Sequence, residues 1–207
     1  MKLLVIAATG FEIKPFTENN KNADVLITGV GIPATIFHLT QQLPKKQYDL
    51  VIQAGIAGSF NTLELGSVAV IEKDTFGDIG IDEKGRFTTL FETGLAQEND
   101  FPYRNGWLVN EHDYFAHPTL PVAKAITVNK IIDDPAQVKL LYQKFGAGVE
   151  SMEGAAFHYV CLRQKVKFLQ LRSISNFAGE RDKTKWKITE AITNLNIAIE
   201  QLAKNIL

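Results

Sequence analysis

Three short stretches of the sequence place polar side chains where an apolar run ends. Glu12 follows the first run in "AATGFE", Glu150 and Glu153 flank Met152 in "GVESMEGAAF", and Asn176 follows another run in "RSISNFAGERD". A positioned carboxylate can act as a general base, and an amide can both donate and accept hydrogen bonds. The three stretches are therefore the candidate places for catalysis and ligand binding.

Each stretch also has a purely structural interpretation. Glu12 can be a solvated acid that opens a short helix, where the helix dipole favours a negative charge. Glu150 or Glu153 can cap the helix that follows, although two carboxylates in an apolar setting are costly to bury without partners. Asn176 can simply turn the chain after its strand. The residues alone leave both interpretations open.

Strands and helices are expected to position these side chains. Six continuous apolar runs are typical of strands covered on both faces, namely "KLLVIAA", "ADVLITGV", "DLVIQAG", "SVAVIEK", "KAITVN" and "VKFLQLRSIS". Helical periodicity occupies residues 32–43, 153–164 and about 185–207. This alternation predicts an α/β sandwich with a largely parallel or mixed central sheet, in which ligands bind at the C-terminal ends of strands. A chain of 207 residues is expected to form one domain, 1–207.

The middle of the chain, residues 73–121, is less regular. "DEKGRF" predicts a hairpin or loop tip, and the long polar and aromatic stretch after it predicts a loop that is functional or poorly ordered. His112, Asp113 and His117 in "HDYFAH" match no standard metal-ligand spacing, so no metal site is expected. The glycine turns "TGVGIP" and "QAGIAGSF" match neither the dinucleotide fingerprint nor a P-loop.

Composition excludes several classes of partner. The net charge of −1 comes from 22 Lys+Arg against 23 Asp+Glu, and without a basic stripe nucleic acid is not an expected partner. The single cysteine, Cys161, cannot form an internal disulfide, which fits a reducing compartment. The N-terminal apolar run is too short for a typical signal-peptide core or a membrane span. We therefore expect a cytoplasmic protein with no membrane partner.

Taken in order, these pieces resemble the purine nucleoside phosphorylase/nucleosidase superfamily, in particular its methylthioadenosine/S-adenosylhomocysteine nucleosidase branch. An early Glu after the first strand, "TGVG", "AGIAGSF" with "LELGSVAVIEKD", "VESMEGAA" and "RSISN" together cover most of the chain. "FGDIGI", "VESMEGAAF" and "RSISNFAGERD", with Trp186 beyond, most resemble the futalosine hydrolase family of menaquinone biosynthesis. The resemblance implies a three-layer α/β/α fold around a mixed sheet, cleavage of the N-glycosidic bond of a purine nucleoside, and no cofactor.

The resemblance also implies roles for individual residues. Glu12 matches the carboxylate that orients and deprotonates the attacking water, and Glu153 matches the one that grips the ribose hydroxyls, with Met152 packed on the sugar. Asn176 occupies the position where adenine-cleaving nucleosidases carry Asp. Its amide can donate to a carbonyl at C6 of the purine and accept from a protonated N7, which favours a 6-oxopurine such as the hypoxanthine of futalosine.

Further contacts with the substrate are expected from the same resemblance. Gly55, Val128 and Asn129 are expected beside the substrate, the last two near its base. Arg181, together with Lys183 and Lys185, is a candidate for binding the benzoate-bearing 5′ tail, although a charged loop is more often only solvated. Aromatic residues of the 101–117 loop could come from a neighbouring subunit, so a homo-oligomer, most simply a dimer, is expected. Asp78 belongs to the resemblance without an assigned role.

Four functions remain open at this point. The first is hydrolysis of futalosine to hypoxanthine and dehypoxanthinyl futalosine. The second is hydrolysis of methylthioadenosine, S-adenosylhomocysteine or aminofutalosine, against which Asn176 argues. The third is a phosphorylase, which is disfavoured because the two glycine turns carry no arginine for phosphate. The fourth is a non-catalytic nucleoside-binding protein, against which the presence of both Glu12 and Glu153 argues.

Overall fold

The computed structural model describes residues 1–20, 22–111 and 120–206. Its strands are β1 (Leu3–Ala7), β2 (Asp24–Ile27), β3 (Leu50–Ser59), β4 (Val68–Phe76), β5 (Gly80–Glu83), β6 (Arg86–Thr89), β7 (Leu108–Val109), β8 (Val122–Thr127), β9 (Val149–Ser151) and β10 (Phe168–Phe177). Its helices are α1 (Lys14–Asn19), α2 (Ile32–Gln42), α3 (Pro135–Phe145), α4 (Gly154–Gln164) and α5 (Ile188–Ile206).

The central sheet is mixed, as the sequence predicts. Its strand order is β10-β4-β8-β9-β3-β1-β2, with β7 added beside β4. Strands β1, β2, β3 and β10 run parallel to one another, whereas β4 is antiparallel to β10 and β9 is antiparallel to β3. Because β10 also pairs with β3, the five strands β3, β10, β4, β8 and β9 close into a ring.

Helices cover both faces of the sheet, which confirms the three-layer α/β/α arrangement. On one face, α2 and α4 pack on β1, β3 and β10 through a cluster that includes Leu39, Val51 and Phe157. On the other face, α5 packs through Leu195 and Ile199 on the opposite sides of the same strands. Strands that are covered in this way are buried along their whole length, which explains the continuous apolar runs.

Several elements differ from the sequence prediction. Helix α3 was not predicted, although its boundaries carry ordinary signals: Asp134 accepts a hydrogen bond from the N–H of Gln137, Pro135 opens the first turn, and Gly146 ends the helix at φ 57°. Helix α1 was not predicted either. Strand β2 alternates between half-buried and exposed residues because it lies at the sheet edge. "DEKGRF" does form the tip of a hairpin, β5–β6.

None of the helices formed by the described residues combines the length and the hydropathy that crossing a bilayer requires.

Candidate active site

Strand β3 is the backbone on which the candidate site is built. Gly55 lies against the side chains of Arg172 and Glu12, and Gly58 lies against the amide of Asn176. Gly58 also pairs with Glu150 on β9. Successive strand residues are about 3.3 Å apart, so these side chains gather along roughly 10 Å of one strand at its C-terminal end. The ends of β1, β9 and β10 therefore meet where the sequence predicts the site.

Glu12 is held by hydrogen bonds to both carboxylate oxygens. The N–H and the hydroxyl of Thr9 donate to Oε2, each at 2.9 Å, and the N–H of Ile56 donates to Oε1 at 3.1 Å. The side chain is buried, at 7% exposure. From α5, the Nδ2 of Asn196 donates to the carbonyl oxygen of Glu12 at 2.8 Å. This carboxylate is fixed in place and is not the solvated acid of the structural interpretation.

Glu153 occupies the N-cap of α4 and reaches across the sheet to the first glycine turn. The N–H of Gly31 donates to its Oε1 at 2.9 Å. Burial raises the pKa of Glu153, and the nearby Glu12 carboxylate raises it further, whereas Arg172 and the N–H groups of Gly31 and Met152 lower it. Glu12 and Glu153 are 141 positions apart in the sequence, yet the charge of Glu12 affects the pKa of Glu153.

Arg172 is the functional side chain that the sequence analysis missed. It is almost fully buried, its Nη1 lies 3.7 Å from Oε2 of Glu153, and its Nη2 donates to Oε1 of Gln53 at 2.9 Å. A side chain at position 55 would collide with this guanidinium, so Gly55 is required for the close approach. The available signal was an arginine inside an otherwise apolar strand, because arginine is almost never fully buried without a partner.

Asn176 lies half-buried at the end of β10, directly after a β-bulge at Ser175. Its Oδ1 accepts from the hydroxyl of Ser175 at 2.8 Å, and its Nδ2 donates to the carbonyl oxygen of Phe177 at 2.9 Å. The bulge changes which way the following side chain points, as bulges near functional sites commonly do. The amide keeps one further donor hydrogen and one further acceptor lone pair for a ligand.

The remaining predicted residues have different surroundings. Met152 is half-buried between Glu150 and Glu153. Val128 is fully buried and packs in a core cluster against α3, so only its backbone is placed to meet a ligand. Asn129 is exposed and donates to Asp78 through its backbone N–H at 2.5 Å and its side chain at 3.2 Å. Arg181 is exposed and stacks over the ring of Trp186 at 5.5 Å.

Glu150 is a second buried carboxyl beside the site. It is 5% exposed, and no described residue donates a hydrogen bond to its side chain. Burial raises its pKa to about 7, the charge of Asp78 raises it as well, and Arg181 lowers it. Glu150, Asp78 and Arg181 therefore form one electrostatic group next to Met152.

The arrangement of side chains suits acid–base chemistry. Among residues 1–20, 22–111 and 120–206, no group of three His, Cys, Asp or Glu side chains could hold a metal ion. His112, Asp113 and His117 lie outside the described residues. A fixed carboxylate, a second carboxylate paired with a guanidinium, and a strand-end amide can activate water, hold hydroxyl groups and read a polar ring.

Known proteins are similar to this chain in sequence and in fold. A futalosine hydrolase of Thermus thermophilus is 30% identical over 181 residues, which cover 86% of this chain and 79% of that protein. A 5′-methylthioadenosine/S-adenosylhomocysteine nucleosidase of Tolumonas auensis is 28% identical over 191 residues, covering 88% of this chain and 77% of that protein. The solved structure of a futalosine hydrolase mutant of Helicobacter pylori superposes with a TM-score of 0.82 at 17% identity, covering 99% of both chains.

The family model described as the phosphorylase superfamily matches residues 16–207, which include α4 with Glu153 and β10 with Arg172 and Asn176. Glu12 precedes the matched range and is tied to it through Ile56 and Asn196. On this match and the 30% identity to a full-length relative, the chain belongs to the phosphorylase superfamily.

Proposed function

We propose that the protein hydrolyses the N-glycosidic bond of futalosine, releasing hypoxanthine and dehypoxanthinyl futalosine, a step of menaquinone biosynthesis. The observation that carries the proposal is the arrangement of Glu12 and Glu153 around the buried Arg172. The similarity to futalosine hydrolases supports the choice of substrate.

Glu12 acts as the general base. Its three hydrogen bonds fix the carboxylate, and its oxygens can accept a proton from a water molecule. The water oxygen forms a bond to C1′ while the C1′–N9 bond breaks and its electron pair passes to the purine. The water proton goes to Glu12, N7 takes a proton from solvent so that the purine leaves neutral, and Glu12 then returns its proton to solvent. The sugar passes through an oxocarbenium-like state, as in other glycoside hydrolyses.

Glu153 binds the ribose hydroxyls and stabilises the positive charge that develops on the sugar. The attraction between a carboxylate and the sugar grows as the ring becomes cationic. The carboxylate therefore stabilises the transition state more than it stabilises the bound substrate, and the reaction is accelerated. Arg172 lowers the pKa of Glu153 against the effect of burial and so favours the ionised form that this role needs.

The charges of this site favour water over phosphate as the nucleophile. The structure brings one arginine, Arg172, to the two carboxylates, although the glycine turns carry none. Its single positive charge faces the negative charges of Glu12 and Glu153, so a phosphate dianion would meet net repulsion. Phosphate sites use guanidinium groups that are free to bind the anion bidentately.

Asn176 selects a 6-oxopurine. Its free amide hydrogen can donate to the oxygen at C6, and its carbonyl oxygen can accept from a protonated N7. Gly58 lies beside this amide, and a Cβ at position 58 would be in van der Waals contact with Nδ2 at 3.5 Å.

The exposed Arg181 and the half-buried Trp186 support binding of the benzoate-bearing tail. A stacked guanidinium over an indole offers a flat apolar surface and a cation on the same face, which suits an aromatic carboxylate. Lys185 pairs with Glu180 at 2.7 Å, so its charge is already compensated. Arg181 is therefore the stronger candidate of the two.

We expect the functional unit to be a homo-oligomer. Phe11 and Val30 are exposed, and each directly precedes in sequence a residue that forms or holds the site, Glu12 and Gly31. Phe37 is exposed on α2 nearby. Large apolar side chains grouped around a ligand site are typical of protein interfaces.

The test is a chromatographic assay of the purified protein with futalosine, aminofutalosine, methylthioadenosine and inosine, each with and without phosphate. We expect hypoxanthine from futalosine without phosphate, and a loss of about 10²- to 10⁴-fold in kcat in Glu12→Gln. Adenine release from aminofutalosine or methylthioadenosine would favour the nucleosidase alternative. A requirement for phosphate would overturn hydrolysis, and inactivity on all substrates would favour a nucleoside-binding protein.

A further inference from the structure

Behind Glu153 lies a chain of three buried polar residues that the reaction does not use directly. Asp74 on β4, Gln170 on β10 and His158 on α4 all have 0% exposure. A buried polar group is costly unless each donor and acceptor has a partner, so these three side chains need an explanation.

Asp74 is tied to the first turn of α4. Its Oδ1 accepts from the hydroxyl of Thr127 at 3.0 Å, and the same hydroxyl oxygen accepts from the N–H of Ala155 at 2.7 Å. Its Oδ2 lies 3.2 Å from Nε2 of Gln170. A side chain on Gly154 would collide with both Asp74 and Gln170, so the backbone next to Glu153 rests directly on this pair.

His158 lies in the second turn of the same helix. Its Nδ1 is 2.9 Å from the carbonyl oxygen of Leu108, and its ring packs edge-on against Phe168. The Gln170 side chain faces the ring, yet neither Nε2 of His158 nor Oε1 of Gln170 has a hydrogen-bond partner among the described residues.

The positions of the hydrogen atoms explain why these two atoms have no hydrogen-bond partner. The carbonyl of Leu108 can only accept, so Nδ1 of His158 carries the hydrogen, and Nε2 of a neutral ring is then an acceptor. An acceptor facing the amide oxygen of Gln170 cannot form a hydrogen bond. Turning the amide by 180° keeps its shape, places the NH2 group against Nε2 and places the oxygen against Asp74. That oxygen needs a donor, which a protonated Asp74 supplies.

The alternative is an imidazolium at His158 with an ionised Asp74, which holds the same number of protons. Burial lowers the pKa of His158 to about 4 and raises the pKa of Asp74 to about 6. Both directions favour the uncharged pair, and the value for Asp74 includes a hydrogen bond donated by the NH2 group of Gln170, which lowers the pKa and which the turned amide removes. The groups that contact the chain or act on it electrostatically from the packed elements are Arg172 on β10, Thr127 on β8, the N–H of Thr75 on β4 and the carbonyl of Leu108 on β7.

We propose that Asp74, Gln170 and His158 form a closed, uncharged hydrogen-bond chain that brackets the first two turns of α4 and so positions Glu153. Asp74 donates to Oε1 of Gln170, and the NH2 group of Gln170 donates to Nε2 of His158. The three are positioning residues, and their role in turnover rests on the proposed function of Glu153.

An uncharged chain has an electrostatic consequence for the site. Asp74 is close enough to sense the charge of Arg172. If Asp74 were ionised, it would compete with Glu153 for that single guanidinium. A protonated Asp74 leaves the whole charge of Arg172 to Glu12 and Glu153.

The kinetic test compares Asp74→Asn with Asp74→Leu. An amide at position 74 can still accept from Thr127 and donate to Gln170, so we expect kcat and KM within about threefold of the wild type. Leucine breaks both links, and a displaced Glu153 should lower kcat/KM on the order of tenfold or more. The specific readout is the ratio of kcat/KM for futalosine to that for its 2′-deoxy analogue. It should fall in Asp74→Leu and stay unchanged in Asp74→Asn.

A second measurement needs no activity. The ¹⁵N shifts of His158 in the wild type, assigned with His158→Phe, should show a neutral ring with the hydrogen on Nδ1 from pH 5 to 8. An imidazolium signature overturns the proposal, as does Asp74→Leu with wild-type ratios or Asp74→Asn as impaired as Asp74→Leu. Inactivity of the wild type on every nucleoside would refute the proposed function alone, because the ring shifts still decide whether His158 is neutral with its hydrogen on Nδ1, as the chain requires.

Discussion

At the scale of single residues, the amide of Asn176 carries the expected preference for the base. Replacement by Asp, which is equal in size, exchanges the NH2 donor for an oxygen. An ionised Asp repels the C6 oxygen of hypoxanthine, whereas a protonated Asp can donate to N7 of adenine. Asn176→Asp should therefore shift the ratio of kcat/KM, futalosine over aminofutalosine, on the order of tenfold or more towards the adenine substrate.

The same assay with Asn99→Asp provides the control. Asn99 is exposed, its side-chain oxygen accepts from the N–H of Asn105 at 2.9 Å, and Asp retains that bond. An unchanged base preference in Asn176→Asp would show that another group reads the purine.

Glu150 should make stability depend on pH. The pKa of Glu150 is raised to about 7 in the folded protein from an ordinary value of 4.5. The folded state thus holds a proton that the unfolded state releases, and stability falls as the pH rises from about 4.5 to 7. Glu150→Gln removes this loss, so its unfolding free energy relative to the wild type should increase by up to about 3 kcal/mol between pH 5 and 8.

Urea unfolding at a series of pH values measures this difference. Other titrating groups are common to both proteins and largely cancel in it. Glu64→Gln at an exposed position is the control for replacing a glutamate by glutamine. A flat profile for Glu150→Gln would contradict the prediction.

Sequence reasoning located the strand ends but not the partners of the side chains there. Glu12, Glu153 and Asn176 follow apolar runs, and a run that ends in a polar residue is visible locally. Arg172 and His158 sit inside apolar patterns, and their hydrogen-bond partners Gln53 and Leu108 come from other strands, 119 and 50 residues away. Long-range pairing of this kind depends on the sheet order, which one sequence does not specify.

At the scale of elements, α5 holds the loop that carries Glu12. The Oδ1 of Asn196 accepts from the N–H of Phe16 at 3.0 Å, and its Nδ2 donates to the carbonyl of Glu12. Asn196→Leu leaves two buried backbone groups unpaired, at about 1–3 kcal/mol each. We expect a lower melting temperature together with a lower kcat, measured by thermal unfolding and by hypoxanthine release.

Asn194→Leu on the same helix separates the two effects. Asn194 donates to the carbonyl of Gly66 at 2.8 Å and does not touch the Glu12 loop. It should lose stability while it keeps the wild-type kcat. Equal kcat values for the two variants would mean that α5 does not position Glu12.

Helices with a regular apolar pattern were predicted with nearly correct ends, whereas short or polar helices were missed. Predicted residues 32–43 and 153–164 correspond to Ile32–Gln42 and Gly154–Gln164, because both helices bury a continuous apolar face. Helix α3 buries only Leu141, so its periodicity is weak although Asp134 and Gly146 mark its ends. Terminal signals deserved more weight there than the apolar pattern.

At the scale of the whole molecule, the exposed apolar residues around the site predict association. Phe37 is 58% exposed on α2, and Phe11 is 66% exposed beside Glu12. We expect sedimentation equilibrium to give twice the mass of the chain, and Phe37→Glu to shift the protein towards the monomer. Burying a new charge in an interface without a partner is costly.

Ile197→Glu is the matched control, because Ile197 is 49% exposed on α5, on the opposite face of the sheet. It should leave the mass unchanged. A monomeric wild type, or equal effects of the two substitutions, would contradict an interface at α2.

The ring of strands also governs when the protein can become active during its synthesis. Its closing pair joins β3 to β10, so that Val51 meets Phe168 and Gly58 meets Asn176. Contacts between segments so distant in the chain form late, because a large loop must close first. When β1, β3 and Glu12 have been synthesised, the proposed general base is present, but Arg172 and Asn176 are not yet part of the chain. The nascent chain therefore stays inert until its last quarter has emerged.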